Sequence, residues 1–258
     1  MKKTLLSAFA GMAILLGTAL SNAPAEASGG AKLDHQDWTW SGPFGTFDRA
    51  ALRRGLQVYD EVCSGCHGVK LVAYRNLMDI GFSEDEVKTF AANFEIKDGP
   101  DAEGEMFMRP AKPADHFVNP FANDNAARAS NNGALPPDLS LMTKARGGGA
   151  DYVYSLLTGY EEEAPEGFDL LEGMNYNHIF PGNQIAMAPP IDNDTVEFAD
   201  GTEASKEQIA RDVVTFLAWA AEPELEARKR LGIKVLIFLL VLTGMLYALK
   251  RKIWADLH

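Results

Sequence analysis

The sequence predicts a mainly α protein with long ordered loops and one C-terminal membrane-spanning helix. Three observations carry this. Apolar residues recur at helical spacing in several separate windows, two of which open on a capping pair. Strand signals are few. A 19-residue apolar run, Leu231 to Leu249, stands near the C-terminus.

The chain opens with Lys2 and Lys3, an apolar stretch from Leu5 to Leu20, and the small-x-small triplet Ala25-Glu26-Ala27. This pattern predicts an export signal over residues 1–27, cleaved before Ser28, and so a periplasm-like, oxidising compartment for the mature domain. Residues 28–227 show no repeat and no long linker, which predicts a single extracytoplasmic domain. Leu52, Leu56, Tyr59 and Cys63 share one face of a helix expected from about Phe47 to Val62. Ser83 with Glu86 caps a second helix, whose Val87, Phe90, Ala91 and Phe94 form its apolar face. Prolines and Asn131-Asn132-Gly133 break every period between Asp98 and Ser140, so that stretch is expected to be irregular. A short helix is expected from Asp151 to Thr158, after Gly147-Gly148-Gly149 and before Gly159. Ser205 with Gln208 opens another, carrying Ile209, Val213, Phe216, Leu217 and Ala220 on one face.

The final unit, residues 228–258, is read as an anchor with a short cytoplasmic tail. The apolar run would span roughly 28 Å as a helix, close to the thickness of a hydrocarbon core. It is bracketed by Arg228-Lys229-Arg230 and Lys250-Arg251-Lys252, with Tyr247 and Trp254 near one interface. Lys234 lies one turn inside and can snorkel outward. With positive charge at both ends, the leader decides the orientation. The chain is expected in a bacterial inner (cytoplasmic) membrane as a single-pass protein, with its large domain on the periplasmic side.

Net charge is −12, from 36 acidic and 24 basic residues. That balance lacks the cationic footprint that a phosphate backbone demands, so nucleic acid is excluded as a partner. The acidity is unevenly distributed. Residues 28–227 carry 15 basic and 34 acidic side chains, whereas 228–258 carry seven basic and one acidic.

Both cysteines lie in Cys63-Ser64-Gly65-Cys66-His67. Two thiols three residues apart can add across the two vinyl groups of a haem, and the adjacent His67 then projects to the iron, which is the attachment pattern of c-type haem. A dithiol oxidoreductase would call for a βαβ setting, and a zinc site for further Cys or a His pair; the sequence shows neither. The fold therefore sharpens to a c-type cytochrome core with one covalent haem c. A sixth ligand could come from Met78, Met106, Met108, Met142, Met174, Met187, His116 or His178. Met187 is distinguished by its loop, Ile185-Ala186-Met187-Ala188-Pro189-Pro190, where two prolines stiffen the chain just past the sulfur.

Several segments, in order, carry a family resemblance: Arg53-Arg54-Gly55, Val72-Ala73-Tyr74-Arg75, Gly104 to Pro110, Gly133-Ala134-Leu135-Pro136-Pro137-Asp138-Leu139-Ser140, Asp151-Tyr152-Val153, Leu156 to Tyr160, the Met187 loop, and Trp219-Ala220-Ala221-Glu222-Pro223 before the anchor. Through nearly the whole exported part, the chain resembles the cytochrome c1 family, the membrane-anchored monohaem subunits of the cytochrome bc1 complex. The resemblance implies that His67 and Met187 ligate the iron, that Arg146 pairs with a haem propionate, that Tyr152 lines the haem and that Pro137 packs beside the ring. It also implies cytochrome b and the Rieske iron–sulfur protein as partners in a dimeric membrane complex. The Rieske protein would be the electron donor and a soluble basic c-type cytochrome the acceptor, coupled to quinol oxidation. The chain lacks the additional cysteine pair of some bacterial relatives, so no disulfide can brace the domain once Cys63 and Cys66 are bound to haem.

Overall fold

The structure is a computed structural model and describes residues 31–255; the export signal expected over 1–27 lies outside the described residues. Helices α1 (Arg49–Val58), α2 (Glu84–Ala91), α3 (Asp124–Ser130), α4 (Met142–Ala145), α5 (Gly149–Thr158), α6 (Lys206–Ala221) and α7 (Leu225–Ile253) are joined by long loops. Two small antiparallel pairs complete it: β1 (Glu95–Asp98) with β2 (Phe107–Pro110), and β3 (Asn175–Tyr176) with β4 (Gln184–Ile185).

The core forms where α1 crosses α6, and α4 and α5 also pack on α6. Gly55 permits the crossing: a Cβ there would collide with the Asp212 carbonyl and stand 2.8 Å from the Phe216 Cβ. Trp219, Tyr59, Tyr74, Phe216, Leu52 and Leu77 are buried at this centre. The charged pair that joins the two helices is Arg54 and Asp212, with Nε to Oδ2 at 2.7 Å and Nη2 to Oδ1 at 3.1 Å.

Sequence patterning located most helices but not all of their limits. The capping box opens α2 as expected, with Ser83 Oγ accepting from Glu86 N and Glu86 Oε2 from Ser83 N, whereas α6 shows only half of the device, Ser205 Oγ accepting from Gln208 N. The first helix is shorter than expected. It starts at Arg49, where the Asp48 carboxylate accepts from Ala50 N at 2.9 Å, and gives way after Val58 to a π-helical turn over Tyr59–Cys63. The stretch from Asp98 to Ser140 is not wholly irregular: it holds β2 and α3, the latter capped by the Asn123 side chain. Only Ala127 of α3 is buried, which leaves too few apolar positions to reveal a period. Helix α7 extends the expected span at both ends; none of its apolar window is buried within the chain, and by length and composition it can cross a membrane.

Candidate functional site

The π-helical turn delivers the first cysteine. Ser64 N donates to Tyr59 O at 2.8 Å, and Cys66 N and His67 N both donate to Cys63 O, at 3.1 and 2.9 Å. This coils Cys63 through His67 into one compact turn with Cys63 against the core and Cys66 exposed. A wide turn at the end of a helix is a common device at functional sites, because it re-aims side chains that a regular helix would stack. Both thiols are free, and burial pushes the Cys63 thiol up to about 12. A dithiol reductant needs the opposite environment, a thiolate stabilised at a helix N-terminus; here the motif follows a helix C-terminus.

His67 is held from 70 residues away. Its Nδ1 donates to the Pro137 carbonyl at 2.7 Å, which fixes the tautomer and leaves the Nε2 lone pair for a metal. Burial also lowers the imidazole's tendency to protonate, against a smaller opposing effect of the Pro137 bond. Pro137 is placed by its neighbours: Leu139 N donates to Gly68 O, Lys70 N to Asp138 Oδ2, and Leu71 N to Ser140 Oγ. The Pro-Pro-Asp-Leu-Ser segment is thereby sewn along the residues that come after the histidine. Beside Cys66 and Pro137 opens a cavity of about 420 Å³, bounded also by Phe121, Leu135 and Pro136.

Met187 belongs to a second group. The β3–β4 pair ends at Ile185, two residues before it. Fully buried Asn177 ties this hairpin to α5 by donating to Leu156 O at 2.8 Å and accepting from Ile179 N and Phe180 N. The Met187 carbonyl accepts from the Tyr160 hydroxyl at 3.0 Å and more weakly from Asn175 Nδ2 at 3.4 Å. Arg146 and Tyr152 lie on the same side. Arg146 is exposed and donates only to the adjacent Ala145 carbonyl among the described residues, so its guanidinium is available to an anion. Tyr152 is buried, and burial raises its phenol while the nearby Arg146 charge lowers it. Burial likewise raises the Tyr160 phenol, with Tyr152 next to it. No hydrogen bond joins the His67 group to the Met187 group among the described residues.

Five other candidates for a sixth ligand are exposed: Met78, Met106, Met108, His116 and His178. Met106 and Met108 lie on the β1–β2 hairpin and its approach. His116 Nδ1 donates to Lys70 O at 2.8 Å, and His178 Nδ1 lies 3.0 Å from Glu161 Oε1.

The donor set fits a c-type haem. It offers two free thiols, a histidine with one ring nitrogen spoken for, a thioether on a tied loop and a guanidinium without a carboxylate partner. A Cβ at Gly65 would meet no protein atom within 4 Å, so packing within the chain does not call for glycine there. Among the described residues no three His, Cys, Asp or Glu side chains are grouped to hold a metal ion directly. Four residues to which sequence reasoning gave no role at the site complete the arrangement: Tyr59, Tyr160, Asn175 and Asn177. Tyr59 had a visible signal as part of the apolar face that leads to Cys63, and Tyr160 through its place in the Leu156 to Tyr160 segment.

Comparisons with known proteins place the chain in a family. The chain is 52% identical over 263 residues to cytochrome c1 of Rhodospirillum rubrum, covering 96% of this chain and 95% of that protein. It is 52% identical over 221 residues to the mitochondrial cytochrome c1 heme protein of Schizosaccharomyces pombe, covering 86% and 72%. It also matches the cytochrome b/c1 protein of Bradyrhizobium diazoefficiens at 47% over 267 residues, 95% of this chain and 39% of that one. With the family model matched over residues 38–257, the chain belongs to the cytochrome c1 family.

Proposed function

We propose that the chain carries one covalently bound haem c, accepts one electron at a time from the Rieske iron–sulfur protein and passes it to a soluble c-type cytochrome. Family membership makes it a haem-bearing electron-transfer subunit of the bc1 complex, beside cytochrome b, with a single membrane anchor. When bound, the haem supplies reversible one-electron chemistry at its iron. The residues of the chain do the rest. Cys63 and Cys66 would hold the group covalently, each thiol supplying one thioether link to a vinyl group. His67 and Met187 would ligate its iron, a His/Met pairing that would raise the reduction potential. Arg146 offers a charge-assisted donor to a propionate, with Tyr152 and Pro137 along the ring.

The observation that supports this most is the 2.7 Å bond from His67 Nδ1 to the Pro137 carbonyl, immediately after two free thiols. An alkaline pyridine spectrum of the purified chain should show one haem c per polypeptide. The oxidised protein should show a far-red methionine-to-iron charge-transfer band that Met187→Leu abolishes; a band that survives the substitution would refute Met187 as ligand.

Docking of the acceptor is read as electrostatic. Glu162, Glu163 and Glu166 are exposed, and no ion pair occupies them among the described residues. Much of the acidic stretch Asp98 to Glu105 has structural work instead: Asp98 pairs with Arg109, and Asp101 accepts from Glu103 N and Glu105 N. The haem domain is assigned to the periplasmic face and the complex to a dimer. Alkaline phosphatase fused before Leu225 should be active in intact cells, and an inactive fusion would reverse the orientation.

A further inference from the structure

We propose that Tyr59 and Tyr160 are paired positioning residues, each gripping with its phenol the main-chain carbonyl of one axial ligand; this rests on His67 and Met187 being those ligands. Tyr59 donates to the His67 carbonyl at 3.0 Å and Tyr160 to the Met187 carbonyl at 3.0 Å. Neither carbonyl lies in a helix or strand, and no backbone N–H bonds either of them among the described residues. The phenol is therefore the main tie on the carbonyl at each ligand, beside the His67 N–H bond to Cys63 O at 2.9 Å and, at Met187, the longer Asn175 contact.

Both rings are fixed before they donate. Tyr59 is 1% exposed, between Phe117 and Phe216 at centroid distances of 6.1 and 5.6 Å. Its own carbonyl takes Ser64 N, so one residue secures both the start and the end of the turn that holds Cys63, Cys66 and His67. Tyr160 is 9% exposed, directly follows Gly159 at the end of α5, and bridges to Asn177 of the β3–β4 connection. A phenol on a packed ring has little rotational freedom left to lose, so the bond constrains its acceptor at small entropic cost. The constraint matters most for Met187, because a neutral thioether binds weakly and stays in place only if its loop does.

The test uses full-length protein in the detergent-solubilised complex, with haem content per polypeptide checked for every variant. Imidazole is titrated against the oxidised protein while the methionine charge-transfer band is followed, and the reduction potential is measured at fixed pH. Tyr160→Phe should lower the imidazole concentration for half-loss of the band by about tenfold, the worth of one neutral hydrogen bond. Asn175→Ala should move it the same way by less, and it serves if Tyr160→Phe fails to accumulate. Tyr59→Phe should leave the imidazole midpoint unchanged and shift the reduction potential. Tyr154→Phe, a buried tyrosine away from both ligands, should change neither. If Tyr59→Phe and Tyr160→Phe behave like Tyr154→Phe, or if only one departs from it, the paired role is overturned. A band retained in Met187→Leu would instead overturn the ligand assignment beneath it.

Discussion

At the scale of single residues, the sharpest energetic statement concerns Asp212, which has no exposure and relies on Arg54. Removing one partner of a buried charge pair strands the other, so Asp212→Ala should cost about 3–5 kcal/mol, read from chemical denaturation of the solubilised protein. A cost near zero would mean that Asp200, 2.8 Å from Arg54, suffices alone. The cap of α2 makes a prediction about pH. Ser83 N and Oγ, with the Arg53 guanidinium, hold the Glu86 carboxyl down to about 2, against an ordinary value of 4.5. A depressed carboxylate stabilises the fold fully above its ordinary value and loses that contribution as pH falls toward the folded one. The melting temperatures of wild type and Glu86→Ala should therefore differ by a constant amount above about pH 5 and converge as pH falls from 4.5 to about 2. Residue chemistry was also the most legible in the sequence, because Cys63, Cys66 and His67 are contiguous. The partner of His67 was not. A carbonyl 70 residues away has no side-chain signature, so Pro137 could be read only as packing.

At the scale of elements, the crossing of α1 and α6 positions the Cys63–His67 turn, and it depends on Gly55. Gly55→Ala places a methyl group against the Asp212 carbonyl and the Phe216 side chain. We expect a loss of about 1–3 kcal/mol and lower accumulation of holoprotein, measured by thermal melting and haem content. Normal stability would show that the helices can slide apart without loss. Helices with side-chain caps and a broad apolar face, α2 and α6, were legible because capping and periodicity are local signals. The π-helical turn was not, since one extra residue in a turn leaves the apolar spacing of Leu52, Leu56 and Tyr59 intact. The β1–β2 and β3–β4 pairs escaped notice because strands of four and two residues are too short to show alternation.

At the scale of the whole molecule, charge and anchor divide the chain into a strongly acidic domain and a basic stem. Exposed acidic groups steer a basic partner only within about a Debye length, roughly 8 Å at physiological salt. The second-order rate of electron transfer to a basic soluble cytochrome should fall at least about tenfold from low to high ionic strength. The triple change of Glu162, Glu163 and Glu166 to Gln should flatten that dependence; an unchanged slope would place the docking face elsewhere.

The stem also meets the domain at a braced joint. Glu222 contacts Lys144 and Arg228, Glu226 takes both Arg49 and the Phe47 N–H, and Lys229 donates to the carbonyls of Trp40 and Gly45. These ties recur on successive turns where α6 passes into α7, a helix of 29 residues or about 43 Å. A post clamped at several heights does not swivel. On the proposed function, the domain is thus mounted as a fixed terminal on its stem, and the travelling between donor and acceptor falls to the proteins that visit it.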